Sequence, residues 1–108
     1  MREGRAGRRR SAILLTALAM AAGACVSVDD ASSGQEIYDQ ICSRCHGGQL
    51  EGGVGPALDA RSEAADRDDE YWTQTIARGR GRMPAFRSTL TDEQIQRVID
   101  FARQEQGQ

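Results

Sequence analysis

Two thiols and an imidazole are crowded into one five-residue run, Cys42-Ser43-Arg44-Cys45-His46. On a helix, residues three and four apart share a face. Two sulfurs so placed can each bond a vinyl group of one porphyrin. An imidazole four residues after the first sulfur stays on that face and can reach the iron. Cys-x-x-Cys-His is accordingly the attachment pattern of a single, covalently bound c-type haem, in which one turn of chain both fixes the macrocycle and ligates its metal.

His46 is the only histidine in the sequence. Met1 and Met20 fall in a leader-like start, so Met83, in Gly81-Arg82-Met83-Pro84-Ala85-Phe86, is the only thioether of the remainder. A His/Met pair is one of the standard ways of holding haem iron, and it raises the reduction potential. Other chemistries suit these residues less well. Structural zinc takes four Cys or His ligands; Cys42, Cys45 and His46 supply only part of that set, and adjacent Cys45 and His46 would chelate awkwardly. A thioredoxin-like redox pair needs a βαβ context, whereas this chain shows helical periodicity and almost no strand pattern. Met83 as a core gap-filler sits badly with a Gly/Arg-rich loop ahead of a proline.

The 108 residues point to one domain. Arg2, Arg5, Arg8, Arg9 and Arg10 form a basic start, an apolar run from Ala12 to Ala22 follows, and Gly23 and Ala24 lead to Cys25. This is the layout of a secretory signal over residues 1–24, and the apolar run is shorter than the roughly 20 residues that span a bilayer as a helix. Ala22-Gly23-Ala24-Cys25 resembles a bacterial lipoprotein processing site, with Ala22 where leucine is usual. The other reading is ordinary cleavage after an A-x-A pattern. The favoured expectation is a lipid anchor on Cys25, with residues 25–33 a short polar tether too poor in apolar groups to pack. The domain, 34–108, is then expected on the periplasmic or outer face of a membrane. From Cys25 onward the chain has nine arginines, no lysine and fifteen Asp and Glu, a formal charge of −6. That balance excludes the broad basic surface a nucleic-acid partner needs.

Three helices must position these groups. The first is predicted over about 34–45, with Ser33 and Glu36 as a capping box and Ile37, Tyr38, Ile41, Cys42 and Cys45 at helical spacing. The second, over about 69–78, can be capped by Asp68 or Asp69; Trp72 and Ile76 share a face, and Gly79 is a ready stop. The third, over about 92–104, has a Thr91/Gln94 box and an Ile95, Val98, Ile99, Ala102 stripe with Phe101 beside it. Between the first two lies a stretch with Gly47, Gly48, Gly52, Gly53 and Gly55. It reads as a loop wrapped closely on a flat ligand, because Leu50, Val54, Pro56 and Leu58 have no use in a linker. The core is thin, with aromatics only 5% of the chain, so a porphyrin is expected to complete it, and the haem-free chain to be unfolded or molten.

Over about Gly34 to Arg103 the chain resembles the class I c-type cytochromes, and more closely the short monohaem bacterial type. Gly34 and Tyr38 stand eight and four residues before Cys42, and Val98 and Phe101 take the partner positions where, in that family, the first and last helices cross. Gly55-Pro56-Ala57-Leu58 looks like the family's proline segment, which implies that the Pro56 carbonyl accepts a hydrogen bond from the His46 ring. Gly81-Arg82-Met83-Pro84 looks like the methionine loop. The resemblance implies a compact all-α fold, three main helices and loops wrapped around one covalent haem, with a porphyrin edge near the surface and both axial positions filled.

A single-electron carrier is the expected function, not an enzyme, with redox proteins as partners and a monomeric domain. The alternatives are a fixed electron-transfer subunit of a larger oxidoreductase, and a haem enzyme or gas sensor in which Met83 is displaced. Arg78, Arg80, Arg82 and Arg87 cluster around Met83, while the segment from Asp59 to Glu70 is acidic. These arginines either ring the haem edge and steer an acidic partner, with one of them free to pair with a propionate, or are ordinary solvated charge. Trp72 and Ile76 are expected on the haem side of the second helix. Trp72 either hydrogen-bonds a propionate or packs in the core.

Overall fold

Capping residues and apolar spacing decide where the helices begin in the structure, a computed structural model that describes residues 27–108. The expected signal and Cys25 lie outside the described residues. Ser33 Oγ accepts from the Glu36 N–H at 3.2 Å, and a Glu36 carboxylate oxygen accepts from the Ser33 N–H at 2.7 Å. Two otherwise orphaned donors are thereby satisfied. The first helix then runs over 34–46 in three stretches: α-helix Gly34–Ile37, π-helix Tyr38–Cys42 and α-helix Ser43–His46.

The π stretch departs from the regular helix expected over 34–45. There the Ser43 N–H reaches back to the Tyr38 carbonyl. The Asp39 carbonyl, which loses its usual partner, is satisfied instead by Ser43 Oγ at 2.8 Å. A one-turn widening leaves the apolar residues on both sides in helical spacing, so periodicity cannot reveal it.

The second helix is Asp69–Arg78, with Asp68 Oδ1 accepting from the Tyr71 N–H at 2.8 Å and Gly79 ending it at φ 75°. The third is Asp92–Glu105, opened by the reciprocal Thr91/Gln94 box. A 3₁₀ turn, Glu63–Asp66, interrupts the acidic stretch. No strand forms among the described residues; the one bridge pairs Arg80 with Met83.

The core lies where the first helix crosses the third. Ile37, Tyr38, Ile95, Val98 and Ile99 are all buried to 3% exposure or less, and side chains of this size contribute roughly 1.5–3 kcal/mol each when fully buried. The Tyr38 and Phe101 rings meet with centroids 5.5 Å apart. Trp72 and Ile76 of the second helix, with Leu50 and Leu90 from the loops, complete the cluster. Arg103 ties the third helix to the acidic segment. It stacks over Trp72 at 5.1 Å, pairs with Asp69 at 3.0 Å, and donates to the carbonyls of Ala65 and Arg67.

The expected unpacked tether over 25–33 is corrected for its described part. Val28 packs against the core, and Ser32 is buried. Gln94 Nε2 donates to the Asp29 carbonyl at 3.2 Å and Arg97 Nη2 to the Asp30 carbonyl at 2.9 Å. The segment is polar, but its backbone carbonyls find donors on the third helix.

The crossing depends on Gly34. A Cβ built there would overlap the Arg97 carbonyl oxygen and press on Phe101 Cβ. Gly34→Ala is therefore expected to destabilise the holoprotein by about 3 kcal/mol in denaturant unfolding. Gly48→Ala, where a Cβ meets nothing within 4 Å, is expected to change stability by about 0.5 kcal/mol or less.

Candidate haem site

His46 ends the first helix with its ring buried and its Nδ1 2.8 Å from the Pro56 carbonyl oxygen. A carbonyl only accepts, so Nδ1 carries the proton and Nε2 of the neutral ring presents a lone pair. Gly55 makes the second wall of the ring's slot. A Cβ there would stand 3.0 Å from the imidazole Cε1 and 3.1 Å from Nδ1. The same loop caps the helix end: the Gly55 N–H donates to the Cys45 carbonyl at 2.8 Å and the Gly52 N–H to the His46 carbonyl at 2.7 Å.

Two further contacts fix this loop. The Tyr38 hydroxyl, one helical stretch earlier, donates to the Gly47 carbonyl at 2.6 Å. Leu50 takes a left-handed conformation, φ 61°, that is costly for a non-glycine residue. It is only 2% exposed, and its carbonyl accepts from the Leu58 N–H at 2.8 Å. Burial of the side chain offsets the backbone strain. Of the spaced apolar residues in the loop, Leu50 and Leu58 pack against the core, whereas Val54 is 77% exposed and Pro56 is also exposed.

Cys42 is partly buried and Cys45 exposed. Met83 is partly buried against the core cluster, in a tight turn where Arg80 and Met83 exchange backbone hydrogen bonds at 3.1 and 2.9 Å. That loop is held to the end of the second helix by the Phe86 N–H to the Ile76 carbonyl at 3.0 Å and the Arg87 N–H to the Ala77 carbonyl at 3.2 Å.

Trp72 and Ile76 are buried together. The Trp72 indole N–H donates to the Ala64 carbonyl at 2.9 Å. Arg78, Arg80, Arg82 and Arg87 are all exposed. Arg80 is not free, since its Nη1 donates to the Tyr71 hydroxyl at 2.9 Å. Tyr71, and Tyr38 as a hydrogen-bond donor, were invisible to helical spacing; a phenol's ring sets its place in a stripe, and its oxygen leaves no periodic trace.

The donor set fits a haem c. Two thiols lie one turn apart beside an imidazole whose Nδ1 is already occupied and whose Nε2 is the nitrogen left for iron. A helical fold built on this motif defines a c-type cytochrome. Residues 29–101 match the family described as cytochrome C oxidase, cbb3-type, subunit III, and the chain belongs to that family of class I monohaem cytochromes. It is 33% identical over 72 residues to cytochrome c6 of Leptolyngbya boryana, covering 64% of this chain and 85% of the relative. It is 32% identical over 90 residues to the 4-cresol dehydrogenase [hydroxylating] cytochrome c subunit of Pseudomonas putida, covering 82% of this chain and 74% of the relative. The structure superposes on cytochrome cL from Hyphomicrobium denitrificans with a TM-score of 0.58 at 34% identity, over 65% of this chain and 44% of that one. The chain thus spans less than half of cytochrome cL. It is an electron-transfer protein with one covalent haem.

Tyr38 generates a prediction. Burial, the main cause, raises its phenol from 10.0 to about 12. A group whose folded value is raised contributes stability that is present below the unfolded value and lost above it. The contribution should therefore persist below pH 10 and disappear as pH rises toward about 12. Tyr38→Phe is expected to cost about 1 kcal/mol at neutral pH and to flatten the alkaline limb of the stability profile, read by denaturant unfolding at a series of pH values.

Proposed function

We propose that this protein is an exported single-electron carrier whose haem iron is held between His46 and Met83, with Cys42 and Cys45 as the thioether anchors. The observation that carries the reading is the His46 Nδ1 to Pro56 carbonyl contact at 2.8 Å. It commits one ring nitrogen to the protein, orients the other, and raises the basicity of a metal-bound imidazole. When bound, the haem supplies a one-electron iron couple. The protein's own residues hold and orient it: Pro56 steadies the histidine, Trp72 and Ile76 back the site, and the Arg80–Met83 turn presents the thioether. His46 and Met83 would both hold the iron, and a haem so held would leave oxygen or peroxide no place to bind, which is the property of a carrier.

Export and acylation at Cys25 are part of the same reading and draw their support from the basic, apolar and small-residue order of the first 25 residues. Arg78, Arg80, Arg82 and Arg87 form the proposed docking rim for an acidic partner, supported by their exposure on and beside the Met83 loop. A second reading is a fixed subunit of a larger oxidoreductase. The similarity to a 4-cresol dehydrogenase cytochrome c subunit favours it, and stable co-purification with one dehydrogenase would select it over a free shuttle.

Two outcomes test the proposal. Met83→Ala is expected to abolish the sulfur-ligand absorption of the oxidised protein, lower the midpoint potential and admit carbon monoxide to the reduced iron, which the unaltered protein should refuse. Replacing Arg78, Arg82 and Arg87 together by Gln should flatten the salt dependence of the electron-transfer rate with an acidic acceptor. An unchanged slope removes this face as the docking surface.

A further inference from the structure

The third helix ends on a glutamine whose side chain turns inward. Gln106 follows Glu105 as the C-terminal cap and is only 7% exposed. Its Nε2 donates to the Leu58 carbonyl at 2.6 Å. Its Oε1 accepts from Arg103 Nη1 at 3.1 Å and from Gln108 Nε2 at 3.4 Å. Arg103 is itself fixed by Asp69 and the Ala65 carbonyl. An amide committed at both ends has one orientation, with its donor aimed at residue 58.

Leu58 stands two residues after Pro56, whose carbonyl accepts from His46 Nδ1 at 2.8 Å. Pro56 is exposed and, as a proline, has no backbone N–H. Neither packing of its ring nor a hydrogen bond from its own nitrogen can set the aim of that carbonyl, so its neighbours must. On one side the Gly55 N–H donates to the Cys45 carbonyl at 2.8 Å, which ties the loop to the helix that carries the histidine. On the other side Leu58 packs against the core. The Leu58 N–H donates to the Leu50 carbonyl at 2.8 Å, but Leu50 belongs to the same glycine-rich loop. The hold on Leu58 that comes from outside the loop is the Gln106 amide.

We propose that Gln106 is a positioning residue for the haem-ligating histidine: through the Leu58 carbonyl it keeps the Pro56 carbonyl on His46 Nδ1. The assignment rests on His46 as the iron ligand. It gives the third helix two tasks. At Arg97 that helix meets Gly34 and sets the direction of the first helix. At its end it secures the acceptor that fixes the tautomer and orientation of the imidazole. Gln94 supplies the comparison. It is also buried, and its Nε2 donates to the Asp29 carbonyl at 3.2 Å. Each amide holds a loop carbonyl, but only the one at residue 106 leads to Pro56.

The test uses oxidised holoprotein, in which paramagnetic iron shifts the proton resonances of a ligating imidazole and makes the His46 Nδ1–H separately readable by NMR. Gln106→Met removes both polar atoms at similar length. Gln106→Glu keeps an acceptor for Arg103 and removes only the donor. Each is expected to speed hydrogen exchange of the His46 Nδ1–H about fivefold, the factor that one net hydrogen bond supplies. Gln94→Met gives up the Asp29 contact and the hydrogen bond from the Thr91 N–H. It should weaken the protein to denaturant at least as much and leave that exchange rate as it is. A rate unmoved by both Gln106 variants overturns the assignment. Equal acceleration in Gln94→Met overturns it too, because the effect is then one of general stability. A holoprotein with no shifted imidazole resonance would strike His46 as the ligand and the assignment with it, a failure recognised before any variant is made.

Discussion

The arrangement depends on a near-contact of two backbones. The first and third helices cross at Gly34, whose missing side chain leaves room for the Arg97 carbonyl. Close approach there brings Tyr38 against Phe101 and buries Ile37 among Ile95, Val98 and Ile99. The helix that makes this crossing at its start ends in the Cys-x-x-Cys-His turn. Packing at one end thus sets the direction in which the other end presents its donors. Dispersion and apolar burial do this without any group that touches the cofactor.

From that helix end, order passes outward by hydrogen bonds. Tyr38 holds the Gly47 carbonyl, the following loop returns N–H groups to Cys45 and His46, and Pro56 closes on the imidazole. The loop carries many glycines but is not a flexible linker. Leu50 anchors it in the core at the expense of a left-handed backbone, and Gly55 yields its Cβ volume to the His46 ring. A histidine held at its backbone, its Nδ1 and its ring face has little freedom left, which suits a redox centre whose geometry must change little between oxidation states.

Much of this was legible in the sequence. Ser33/Glu36 and Thr91/Gln94 announce helix starts because a cap needs specific atoms at a specific spacing. The Ile95, Val98, Ile99, Ala102 stripe is buried as its period requires. The rest was not legible, for separate reasons. The π stretch preserves the pattern on both sides of it. Residues 28–32 dock through their carbonyls, which every sequence has, onto Gln94 and Arg97, whose side chains were free to point elsewhere. Val54 reads as a packed residue and stands in solvent. The Arg67, Tyr71 and Arg80 cluster joins residues from three segments that only the folded chain brings together.

The distribution of arginine bears on how such a carrier meets its partners. From Cys25 onward the chain is acid-rich and has no lysine, so its net charge repels an acidic surface. Several arginines are already engaged: Arg61 and Arg103 with carboxylates, Arg97 with the Asp30 carbonyl, Arg67 and Arg80 with Tyr71. Arg78, Arg82 and Arg87 remain exposed along the Met83 loop. At physiological ionic strength charges beyond about 8 Å are largely screened, so an approaching protein senses this local patch before the net charge. The loop around Met83 concentrates exposed positive charge on an otherwise acidic protein, and at short range such a patch, not the net sum, sets the local field.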